Sequence, residues 1–104
     1  MKLIKELSEM IEEELDGAEE YAKMALMHKT DNPNLAKTFY DIATEEMRHV
    51  DMLHGEVAHL IEAHRKEHGE PPAPMMAVYE FLHGRHIEKA NSVRMYQAHY
   101  REKS

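Results

Sequence analysis

The 104-residue chain has no cysteine and no tryptophan, and only 4 glycines and 4 prolines. Without thiols there can be no disulfide, no thiolate zinc site, no iron–sulfur cluster and no cysteine nucleophile. Any metal must be held by histidine and carboxylate, of which the chain carries 9 and 20. Glycine and proline are too scarce for low-complexity segments, and a composition 42% hydrophobic and 32% charged is that of an ordinary folded domain. No apolar run approaches the roughly 20 residues that a membrane-spanning helix needs. The opening MKLIKELSEM is amphipathic rather than signal-like. A cytoplasmic protein, or one enclosed within a cytoplasmic compartment, is expected. Positive charge is short as well: a net charge of -7 with no basic cluster excludes nucleic acid and anionic membrane as expected partners and leaves cations as the natural ligands.

What is present is helical periodicity. Apolar residues recur at spacings of three and four, and the only strong breaks are DNPN at 31–34 and HGEPPAP at 68–74. The pattern predicts a single all-α domain over 1–104: helix 1 from about 2 to 29, helix 2 from about 33 to 67 and helix 3 from about 74 to 101. Pro33 suits the first position of a helix whose cap is Asn32. Helices 1 and 2 should form an antiparallel hairpin, followed by the long third helix. A chain of this length buries only a modest core, so a partner surface would help it.

At about 100° per residue, helix 1 presents Leu3, Leu7, Ile11, Ala18, Tyr21 and Ala25 as one stripe, interrupted in its middle by Glu14. Helix 2 presents Phe39, Ile42, Ala43, Val50, Leu53, Val57 and Leu60, interrupted by Glu46 with His49 at the edge. Helix 3 presents Met75, Val78, Tyr79, Leu82, Ala90, Val93 and Tyr100, with His86 central and Lys89 near it. A buried, unpaired carboxylate costs several kcal/mol unless it is protonated, hydrogen-bonded or bound to a cation, so the two interruptions call for a joint explanation. In a hairpin that turns near Asn32, Glu14 and the Glu46–His49 pair both lie roughly 20–27 Å from the turn at 1.5 Å per residue, close to level with each other. They can face one another.

Spacing alone does not select this site. Glu56 with His59, and Glu80 with His83, also read Glu-x-x-His, but they point away from the stripes. His54, His59 and His64 follow His49 at intervals of five, which turns each by about 140° and denies them a common row. His54 and Glu56 are expected at the surface, and His86 is expected as a hydrogen-bonded core or interface histidine. The remaining acids, Glu13, Glu20 and Glu45 among them, belong to solvated faces. Glu13 and Asp16 could guide cations inward.

Glu-x-x-His sets a carboxylate and an imidazole on successive turns of one face. In ferritin-like bundles two such motifs and two further glutamates hold a pair of iron or manganese ions. This chain supplies half of that set, and a two-fold homodimer would complete both the ligands and a four-helix bundle. At these residues the sequence resembles the ferritin-like superfamily. FYDIATEEMRH matches the rubrerythrin-type order Phe39, Ala43, Glu46, His49, and ELDGAEEY sets Glu14 seven residues before Tyr21. The arrangement is most similar to the encapsulated ferritins, whose short chains pair to form the di-iron centre across a dimer interface.

The resemblance implies a ferroxidase that oxidises Fe(II) with dioxygen or peroxide at Glu14, Glu46 and His49 of two chains. It implies that Glu46 bridges the ions, that His49 is a terminal ligand and that Tyr21 hydrogen-bonds the ligand carboxylates. It also implies homo-oligomers beyond the dimer, iron storage, and association with an encapsulin shell, a protein nanocompartment. Manganese or zinc suits the same donors. Two other readings of the residues stand beside it: a non-catalytic dimer stapled by zinc or manganese, and a metal-free helical interaction module.

Overall fold

A computed structural model of the chain describes residues 2–103. Among them the chain forms α1 (Lys2–Met27), α2 (Pro33–His68) and α3 (Ala73–Arg101), with no strand. α1 ends two residues before the expected Lys29, because the chain must leave the helical region ahead of Pro33. Asn32 is extended (φ -148, ψ 74), and its side chain accepts the Leu35 N–H at the start of α2. Pro33 in the first turn gives up an amide that no helical partner would have used. At the far end Gly69, at φ 80, stops α2 and donates its N–H to the Arg65 carbonyl. Only glycine adopts that left-handed conformation without strain. Pro71 and Pro72 then bar any continuation.

The three helices run up, down and up in a rod of 55 × 18 × 18 Å. α1 packs against both of the others, whereas α2 and α3 meet mainly through side chains. The core has two parts. Towards the N-terminus of α1, Ile4, Ile11 and Leu15 interlock with Val50, Val57 and Ile61 of α2. Nearer the α1–α2 turn the packing is built from Ala18, Ala22 and Ala43 around Val93 of α3, where small side chains let the helices approach. Burying Ile11 and Leu15 completely contributes roughly 1.5–3 kcal/mol each. α3 is tied to α1 by charge: Lys89 reaches Glu12 and Asp16, and Arg85 reaches Glu12.

The buried arcs differ from the predicted stripes in a consistent way. On α1, Leu3 is 52% exposed and its neighbour Ile4 is buried, together with Ser8. On α3, Val78 is 59% exposed, while Gln97 is buried and donates to the Thr44 hydroxyl and the Tyr40 carbonyl of α2. α3 lies against the Ile4–Ser8–Glu12 side of α1, so the arc that α1 buries turns away from Leu3 and towards α3. No helix among the described residues is long and apolar enough to cross a membrane.

Candidate metal centre

Glu14 stands at the middle of α1, and Glu46 and His49 occupy successive turns of α2. The hairpin brings the three together: one ligating atom from each lies within 4.8 Å of the others. His49 Nδ1 is 3.2 Å from Glu14 Oε2, a hydrogen bond in the tautomer that carries its proton on Nδ1. The site is partly open to solvent, with the His49 side chain 45% and the Glu14 side chain 30% exposed. It lies on the groove of the hairpin opposite α3. The α3-facing side of α1 is marked by Ser8, Glu12 and Asp16, and that of α2 by Thr44, Met47 and His54.

The two carboxylates cannot both be charged at low cost. Glu46 is pushed up to about 7, chiefly by its hydrogen bond with Glu14, then by burial and by the Glu14 charge. Glu14 is lowered, first by that same hydrogen bond and then by His49, with burial opposing. Below about pH 7 the two carboxylates therefore share a proton, which favours Glu46, the group that is raised. A cation placed among the three groups would do the work of that proton and of the His49 N–H together.

Gly17 is part of this geometry and was not read from the sequence. A Cβ at that position would stand 3.5 Å from Glu46 Oε2, so its absence keeps the space beside the carboxylate clear. The available signal was its place one turn after Glu14 on the same face. Tyr21 lies on the same side, but its ring rests against Phe39 at 5.9 Å. No hydrogen bond joins it to Glu14, Glu46 or His49 among the described residues. Of the two acids expected to guide cations, Glu13 is exposed, but Asp16 is bound to the Lys89 ammonium and so is already neutralised.

The other Glu-x-x-His pairs do not gather a third ligand among the described residues. Glu56 is exposed, as expected, and so is His59. His54 differs from the sequence reading, because α3 crosses over it. His54 is half-buried, with its ring 5.2 Å from that of His83 and 5.9 Å from that of His86. His83 also stacks on Tyr79. His86 is only 3% exposed, yet its Nε2 has no hydrogen-bond partner among the described residues, contrary to the bonded core histidine expected.

Compared with protein-family models, curated proteins and solved structures, the chain matches none of them.

Proposed function

We propose that the chain is a ferritin-like iron-binding protein that oxidises Fe(II) at a di-iron carboxylate site, half of it supplied by each of two copies. The observation that carries this reading is the convergence of Glu14, Glu46 and His49 from two helices. Oxygen-rich ligation with one imidazole per chain is the donor chemistry that iron and manganese favour. A pair of carboxylates sharing a proton is a site already short of positive charge. The open groove supports the second half of the proposal: exposed Leu3, Met10 and Leu35 flank it, as suits a surface to be covered by its own copy.

On this reading Glu14 and His49 bind the incoming ion, and Glu46 gives up its proton as the charge arrives. Gly17 keeps room beside it. The net chemistry is the transfer of one electron from each of two substrate Fe(II) ions to dioxygen, which with two protons leaves as hydrogen peroxide. Peroxide as oxidant would take the same two electrons and two protons and become water. The partly exposed face admits either oxidant. Storage of the product, and enclosure within a shell, belong to the assembly rather than to the chain.

The test is the double change Glu46→Ala and His49→Ala, with Glu56→Ala and His59→Ala as control. The first should abolish Fe(II)-dependent oxygen consumption and lower the bound iron, and the second should leave both as in the unaltered chain. Unchanged iron uptake and oxidation in the first variant would sink the assignment. Metal binding without oxygen consumption in the unaltered chain would indicate a zinc or manganese staple instead.

A further inference from the structure

We propose that His54 of α2 with His83 and His86 of α3 forms a second metal site, for a borderline divalent cation such as Zn(II), which clamps α2 to α3. The site shares no residue with the carboxylate centre and lies on the other side of α2.

Three observations carry the proposal. His86 is nine-tenths buried and more, and among the described residues its Nε2 has no partner. A buried polar atom left unpaired costs about 1–3 kcal/mol, so this imidazole nitrogen is a ready donor for a ligand in the space beside it. That ring borders a cavity of about 220 Å³ lined by Met47, Asp51, His54, His83, His86 and Arg94. Finally, the His54 ring centre is 5.2 Å from that of His83 and 5.9 Å from that of His86. With zinc–nitrogen bonds of about 2.1 Å, two imidazoles on one tetrahedral ion have their ring centres roughly 5 Å apart.

The rings thus stand at coordination spacing, although their nitrogens do not yet converge. Among the described residues only Glu14, Glu46 and His49 have donor atoms within 4.8 Å of one another. Converging the nitrogens calls for turning the rings of His54 and His83, both half-buried and beside the cavity. Asp51 sits three residues before His54 on the same side of α2 and borders the same cavity, so it can supply the fourth ligand and a compensating charge. The nearby guanidinium of Arg94 is directed to Asn91 Oδ1 at 3.3 Å.

A cation is a better occupant than an anion. Burial, followed by the neighbouring His83, lowers His54, and burial, followed by His54, lowers His86, so both rings present lone pairs. The cavity also sits where the fold is least tied. α2 and α3 have few close backbone approaches, and an ion held from both would add the cross-link that α1 provides elsewhere.

The experiment uses the full chain, stripped of metal and titrated with Co(II), both unaltered and carrying Glu46→Ala with His49→Ala to remove the first site. Both forms should show the intense visible absorption of tetrahedral Co(II), displaced by Zn(II), and Zn(II) should raise the thermal midpoint. His54→Ala or His83→Ala should remove that absorption and the thermal shift in both forms, with far-UV circular dichroism retained. These half-buried positions are used because His86→Ala could unfold the chain. Fe(II) oxidation should survive His54→Ala, which separates this proposal from the one on the carboxylates. Absence of tetrahedral Co(II) in the unaltered chain would overturn it. So would a signal lost on His64→Ala but not on His54→Ala, since His64 and His68 also have ring centres 5.2 Å apart on the surface of α2.

Discussion

Replacing Glu46 by glutamine in the metal-free chain should make it less sensitive to pH and more stable above neutrality. The folded chain raises this carboxyl from 4.5 to about 7. Between those values the folded state keeps a proton that the unfolded state has released. The associated stability is fully present below the unfolded value and is lost as pH rises through about 7. At about 1.4 kcal/mol per pH unit the whole shift would correspond to a ceiling near ~3.4 kcal/mol. The pair is partly open to solvent, and screening leaves about 1–2 kcal/mol of that. Glutamine reproduces the protonated carboxyl, since its amide can still donate to Glu14, but it has no proton to lose. Urea unfolding with a chelator present, at one protein concentration and between about pH 5 and 8, should show the unaltered chain losing about 1–2 kcal/mol more than the variant. Parallel stability curves would refute the shared proton and with it the electrostatic reason for a cation at this place.

The same site makes a steric prediction. Gly17→Ala adds only an ordinary contact to Glu46 Oε2 and should be tolerated, whereas Gly17→Leu should fill the space beside the carboxylate and lower bound iron per chain at unchanged helicity, read by metal analysis and far-UV circular dichroism. In the core, Leu15 is 0% exposed, and Leu15→Ala should cost about 2–4 kcal/mol in urea unfolding.

Helix number, order and ends were legible because the signals are local: a proline after an asparagine cap, and a glycine followed by prolines, act within a few residues of themselves. Glu14, Glu46 and His49 were legible because a hairpin with a short turn fixes which levels meet, so rise per residue sufficed to bring α1 and α2 into register. The side of the hairpin that α3 covers was not legible, because the long stripe of α3 is broken by polar residues and gives no unique face. That one unknown accounts for the misread positions. It buried Ser8 rather than Leu3, made Gln97 an inner residue bonded to Thr44, and took His54 from the expected surface into contact with His83. Gly17 was missed for a different reason: its role is a space beside Glu46, and spaces leave no mark in periodicity.

The placement of α3 also bears on why the carboxylate centre should be half a site. α3 closes one groove of the hairpin with salt bridges from Lys89 and Arg85 to α1, and the other groove keeps Glu14, Glu46 and His49 beside exposed apolar side chains. A chain meant to hold a single ion alone could have turned its third helix onto these residues and supplied further ligands from it. Here the third helix brings histidines to the opposite groove instead, and the carboxylates stay open for the second copy that the proposed function calls for. With ligands divided between two copies, the free energy of holding iron and that of pairing the chains become one linked quantity: each ion bound by both copies favours the dimer, and each dimer formed raises the affinity for the ion. In the unpaired chain the shared proton stands in for the ion. On the proposed reading it makes the half-site tolerable without metal, and the same proton would be released on binding iron and a second copy.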